Sequence, residues 1–186
     1  MNERIERILS AIASLADEER EVLFNRLASE WSVASPTQKA MPLDFEAREP
    51  EGEPDYVIVF DGGSEGNPGP GYGSYALSRR GDEKQRMVRL DFGRDMTNNE
   101  AEYETLIAAL RGLIERIELA SRSPGEFSLE VRGDSKLVLN QVSGRWKAKD
   151  DRMRALRNRA RNLLSRFGAH RLVHQDREES VRVLGH

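Results

Sequence analysis

The chain has 186 residues, 33% of them charged and 38% hydrophobic, with a formal net charge of −3 and no cysteine. That length suits one domain plus an appendage, and the lack of cysteine excludes disulfides and thiolate metal sites. No apolar run approaches the roughly 20 residues needed to span a bilayer, and residues 1–10 lack the basic-then-apolar pattern of a secretory signal, so the expectation is a soluble, cytoplasmic protein with no membrane partner.

The charge is unevenly spread. Residues 1–54 hold 12 acids against 6 bases, a net of −6, while residues 55–186 hold 20 against 23, a net of +3. Residues 145–171 carry ten basic side chains against Asp150 and Asp151 alone. Such a run reads either as a solvated helix face or as a patch for phosphates.

In chain order, residues 2–30 read as a helical hairpin, within a unit at 1–31. Ile5, Ile8, Leu9 and Ile12 fall at helical spacing, as do Val22, Leu23 and Leu27 after a break near residues 14–17. Asp17, Glu18, Glu19 and Glu21 place acids in a first turn, where the helix dipole favours them. Two short amphipathic helices cannot bury their faces alone, so a protein partner, self-association or docking on the main domain is expected. Residues 32–54 are proline-rich, acidic and without period, which reads as a linker. The main domain is expected over residues 55–186.

Residues 56–61, Tyr-Val-Ile-Val-Phe-Asp, read as a buried strand with a carboxylate at its tip. A glycine- and proline-rich loop follows, and then a second strand at about 71–79. A turn at Arg80, Gly81 and Asp82 leads to a third strand at about 84–92. Thr97 is the expected N-cap of a long helix striped by Leu106, Ile107, Leu110, Leu113, Ile114 and Ile117. A fourth strand is expected at 127–131, a short helix at 134–142, a longer helix at 150–167 and a last strand at 171–174. Hairpin strands followed by crossover helices predict a mixed sheet in the α/β class, with sites at strand ends.

Three acids fall at such ends. Asp61 closes the first strand, Glu102 lies in the first turns of the long helix, and Asp134 follows the fourth strand. Each also has a plain structural reading: a turn residue, a solvated helix residue and an N-cap. Together, three carboxylates would repel unless a divalent cation relieved them. Oxygen-only donors point to a hard ion, Mg²⁺ or Mn²⁺.

The segments FDGGSEGNPGPGYGSYAL, TNNEAEYETLIAAL and RGDSKLVLNQVSGRWKAKD resemble, in order and spacing, the type 1 ribonuclease H family, in its shorter bacterial and archaeal branch. The resemblance covers about residues 55–178. It implies a ribonuclease H-like mixed five-stranded sheet, three antiparallel strands and then parallel ones, flanked by helices. It also implies an endoribonuclease that cuts the RNA strand of RNA–DNA hybrids, with Asp61, Glu102 and Asp134 holding two Mg²⁺ ions. His174 matches the family's catalytic histidine, or else reads as a surface residue after a strand. Gly62, Gly63 and Ser64 fall where the nucleic-acid backbone approaches. Asn67, Asn98 and Asn99 match positions that contact RNA 2′-hydroxyls and base edges, although Asn98 and Asn99 also read as helix caps. Trp146 and Lys147 correspond to a segment facing the DNA strand, or else Trp146 is a core anchor.

The closing motif departs from the family pattern. Ser180 stands where the family has Asn, Leu184 where it has a fourth carboxylate, and the chain stops at His186, so the usual closing helix is expected to be missing. Three expectations stay open. The second ion is held weakly, Asp176, Glu178, Glu179 or His186 substitutes for the fourth carboxylate, or the chain is a weakened binder of hybrids or double-stranded RNA. A nuclease acting on DNA junctions with the same sheet is a further alternative.

Overall fold

The computed structural model describes residue 11 and residues 48–185, except residue 83. The chain divides into two compact units, Met1–Asp44 and Phe45–His186. Apart from Ala11, the expected hairpin at 2–30 lies outside the described residues, as do His186 and residues 32–47 of the expected linker. Residues further along that linker are tied to the second unit. The His170 N–H donates to the Arg48 carbonyl at 2.9 Å, and Arg80 donates to the Glu53 carbonyl at 2.9 Å.

The second unit is a five-stranded sheet in the order β3-β2-β1-β4-β5. The strands are β1 (Tyr56–Ser64), β2 (Gly69–Arg79), β3 (Arg86–Met96), β4 (Ser128–Gly133) and β5 (Ala169–His174). β1, β2 and β3 form an antiparallel meander, while β1 and β4, and β4 and β5, pair in parallel. The expected mixed sheet is therefore observed. β1 runs three residues beyond its expected end, so Asp61 sits within the strand, opposite Ser74, rather than at its tip.

Three helices follow the sequence signals, α1 (Asn98–Leu119), α2 (Lys136–Ser143) and α3 (Asp151–Leu164), and a fourth, α4 (Arg177–Leu184), comes after β5. Thr97 caps α1 as expected, in a capping box. Its hydroxyl accepts the Glu100 N–H, and the Glu100 carboxylate accepts the Thr97 N–H at 2.8 Å. The stripe from Leu106 to Ile117 is buried. It packs with Ile58 and Phe60 of β1, Leu129 and Val131 of β4, Val138 and Val142 of α2, and Leu156 and Leu164 of α3 in one apolar core. Each such side chain contributes roughly 1.5–3 kcal/mol by leaving water.

The opposite face of the sheet carries a small apolar cluster of Val59, Ala76 and Leu184. Residues 177–184, to which the sequence pattern assigns no element, form the helix α4. Among the described residues no helix is long and apolar enough to cross a membrane.

Candidate active site

α1 lies directly against the sheet because two glycines leave it room. A Cβ at Gly62 would come within 2.6 Å of the Ala101 carbonyl group and 2.7 Å of the Glu102 nitrogen. One at Gly73 would come within 1.9 Å of the Thr105 hydroxyl. The first turns of the helix therefore rest on the β1–β2 backbone, and Glu102 is set down beside the residue that follows Asp61. Gly62 is thus filled by the helix, and Gly63 lies under the Tyr72 ring, its cross-strand partner.

Asp134 follows β4. Its neighbour Gly133 pairs with His174 at the end of β5 and accepts the Gln175 N–H at 3.0 Å. Asp61, Glu102, Asp134 and His174 are thus brought towards one end of the sheet by β1, α1, β4 and β5. The reading of Asp134 as a helix cap does not hold. Ser135 caps α2, accepting the Val138 N–H at 3.3 Å. The same hydroxyl lies 2.5 Å from a Glu102 oxygen and donates to it. Sequence reasoning passed over Ser135, whose signal was its cap position beside an acid.

Burial pushes the Glu102 carboxyl up to about 7, and the Asp134 and Asp61 carboxylates push the same way against the Ser135 hydrogen bond. The three acids therefore share one electrostatic neighbourhood. Even so, among the described residues no three acidic or imidazole side chains converge tightly enough to enclose a metal ion. The donors fit a hard divalent cation in kind, as partly desolvated oxygen ligands, but they do not form a closed cage.

The candidates for a fourth carboxylate follow His174. Leu184 is 1% exposed and packs on Val59 and Ala76. Asp176 precedes α4 without capping it through its side chain, Glu178 is exposed, and Glu179 pairs with Arg182.

The amides form a second cluster. The Ser64 N–H donates to Asn98 Oδ1 at 2.9 Å, and the Asn98 N–H donates to Asn67 Oδ1 at 3.3 Å. Thr97 is the cap of α1, so Asn98 and Asn99 are not. Asn99 is exposed and lines an open cavity of about 550 Å³ with Asn67, Thr97 and Arg152. Trp146 is 50% exposed, which excludes the core-anchor reading, and Lys147 beside it is exposed.

The basic run divides in two. Arg152 pairs with Glu100, Arg159 with Glu104, Arg166 with Glu118 and Arg171 with Glu130. Arg161 donates to the Val142 carbonyl at 2.8 Å. Arg145, Lys147 and Lys149 make no ion pair among the described residues and are exposed.

Comparison with known proteins agrees with this layout. Residues 60–183 match the family model described as reverse transcriptase-like. The crystal structure of RNase H1 from the archaeon Halobacterium salinarum is 34% identical, with a TM-score of 0.55, over 69% of this chain and 90% of that one. The chain belongs to the type 1 ribonuclease H family. Another family member, LC11-RNase H1 solved in complex with an RNA/DNA hybrid, is 28% identical with a TM-score of 0.56, over 69% of this chain and 90% of that one. Ribonuclease HI of H. salinarum is 39% identical over 124 residues, 67% of this chain and 58% of the relative. A bifunctional protein of Mycobacterium tuberculosis is 42% identical over 112 residues, 60% of this chain and 28% of the relative. The chain therefore spans well under two thirds of the length of these two relatives.

Proposed function

We propose that the chain is an endoribonuclease that hydrolyses the RNA strand of RNA–DNA hybrids with divalent metal ions. The observation that carries this reading is the Glu102 carboxyl, half-buried, charged only at a cost, and held next to Asp61 and Asp134. A repulsive acid cluster is expensive as structure and useful as a ligand set. Asp61, Glu102 and Asp134 would hold Mg²⁺ or Mn²⁺, with the second ion weakly bound because Leu184 supplies no carboxylate. When bound, the ions neutralise the acids and lower the pKa of a coordinated water.

The chain's own groups orient the rest. Ser135 fixes the Glu102 carboxylate by donating to one oxygen. The Ser64–Asn98–Asn67 cluster, with Asn99 beside it, presents amide groups that can donate to and accept from a 2′-hydroxyl, the group that separates RNA from DNA. Trp146 with Arg145, Lys147 and Lys149 forms an exposed aromatic and cationic strip suited to the other strand's bases and phosphates. His174, exposed at the end of β5, would carry a proton.

This activity fits a cytoplasmic protein in three parts: a hairpin at 1–31 for a protein partner or self-association, a linker at 32–54, and the nuclease domain at 55–186. The deciding experiment is cleavage of an end-labelled hybrid with Mg²⁺ and Mn²⁺ titrated separately. Cleavage abolished by Asp61→Asn or Asp134→Asn supports the proposal. Tight hybrid binding without turnover in either metal would leave a binding module instead.

A further inference from the structure

We propose that a basic cavity at the end of the sheet remote from the carboxylates binds a nucleoside phosphate. The cavity opens beside Tyr56, the first residue of β1. At about 3.3 Å per residue, that is some 17 Å along the strand from Asp61. Its volume is about 470 Å³, within the range of roughly 300–1,000 Å³ of small-molecule sites.

Two kinds of surface meet there. The rim carries Arg79 from the end of β2, Lys84 from the β2–β3 turn, Arg86 from the start of β3, and Arg116 and Arg122 from the end of α1 and the loop after it. Among the described residues Asp82 is the sole acid in the lining. Arg122 is largely answered by Glu126, and Arg116 by the dipole at the C-terminus of α1. Arg79, Lys84 and Arg86 have no ion pair among the described residues. They come from a hairpin that gains nothing from crowding like charges.

The floor is apolar. Leu77, Leu113 and Ile117 are buried beneath it. Tyr56 and Phe127 stand edge to face, with centroids 5.3 Å apart at 74°. Arg79 lies 5.8 Å from the Tyr56 ring centroid, and Arg122 lies 4.9 Å from that of Phe127.

A bare anion would meet the rim and leave the floor wet. A purely apolar ligand would leave the cations unanswered. A planar ring joined to a phosphate satisfies both, with the ring against the apolar and aromatic floor and the phosphate between the guanidinium groups, whose fork matches its oxygens.

The test uses the full-length chain in excess chelator, so that no metal can draw a nucleotide to the carboxylates. Calorimetric titrations with AMP, adenosine and inorganic phosphate are compared. AMP is expected to saturate with a Kd below about 1 mM, and adenosine and phosphate to bind at least about tenfold more weakly. Arg86→Ala and Arg116→Ala should each weaken AMP by about fivefold or more while leaving the melting temperature and hybrid cleavage unchanged. No saturation by AMP, affinity unaltered in both variants, or phosphate binding as tightly as AMP would each overturn the proposal.

Discussion

The Ser135 hydroxyl donates to Glu102 at 2.5 Å and accepts the Val138 N–H at 3.3 Å. One side chain therefore caps α2 and orients a carboxylate on α1. Ser135→Ala removes both bonds. Loss of the cap costs about 1 kcal/mol of stability. A carboxylate no longer held in one orientation should also bind metal less well, so the Mg²⁺ concentration for half-maximal cleavage is expected to rise severalfold. Ser135→Thr, which keeps the hydroxyl, should restore the metal response. A purely structural role would lower the melting temperature and leave the Mg²⁺ titration where it was.

The raised Glu102 pKa makes a prediction for the metal-free protein. An unfolded glutamate titrates near 4.5, and the folded one is pushed up to about 7 by burial and by Asp134 and Asp61. Between those values the folded state keeps a proton that the unfolded state has lost. Stability therefore declines as pH rises from about 4.5 to about 7 and does not recover above it. Glu102→Gln removes this term. In chelator at pH 8 it should be more stable than the parent by on the order of 2 kcal/mol, with the two converging near pH 4, while cleavage in Mg²⁺ is lost. Thermal melts across pH read this directly, and equal melting temperatures at pH 8 would refute it.

Much of this was legible in the sequence because the signals are local. Thr97, Glu100 and the apolar period of α1 lie within a few turns of one another, and the helix forms there as expected. Asp134 and Ser135 are both good cap residues, and only the backbone geometry shows that Ser135 is the one that accepts. The basic run was ambiguous because its partners Glu100, Glu104 and Glu118 lie on α1, about fifty residues earlier. Glycines announce space without saying what fills it: only the structure shows that the Cβ directions of Gly62 and Gly63 point at α1 and at the Tyr72 ring. α4 gave little warning, since Leu184 is its sole fully buried apolar residue.

Gly62→Ala tests how the helix is set down on the strand. The new methyl would meet the backbone of Ala101 at 2.6 Å, and backbone cannot turn aside as a side chain can. α1 must lift, at a cost of about 2–3 kcal/mol, and Glu102 moves with it. The expectation is a folded protein of lowered melting temperature whose cleavage falls by more than tenfold, since small displacements of a catalytic group are costly. Unimpaired cleavage would mean that Glu102 need not sit where the structure puts it.

The resemblance sets Leu184 where the family has its fourth carboxylate, and its side chain is sealed against Val59 and Ala76 on the face of the sheet opposite the main core. Leu184→Ala should cost about 2–3 kcal/mol, as other buried leucine truncations do. Leu184→Asp should cost more, because a carboxylate there has only apolar neighbours in the cluster and is driven out towards water. Two outcomes then separate structure from chemistry. If the residue is only a seal, both variants lose stability and neither lowers the Mg²⁺ requirement. If α4 can swing its last turn towards Asp61, Leu184→Asp will cleave at lower Mg²⁺ than the parent despite melting earlier. The packing of Leu184 favours the first result, and Mg²⁺ titration of cleavage beside a thermal melt distinguishes them.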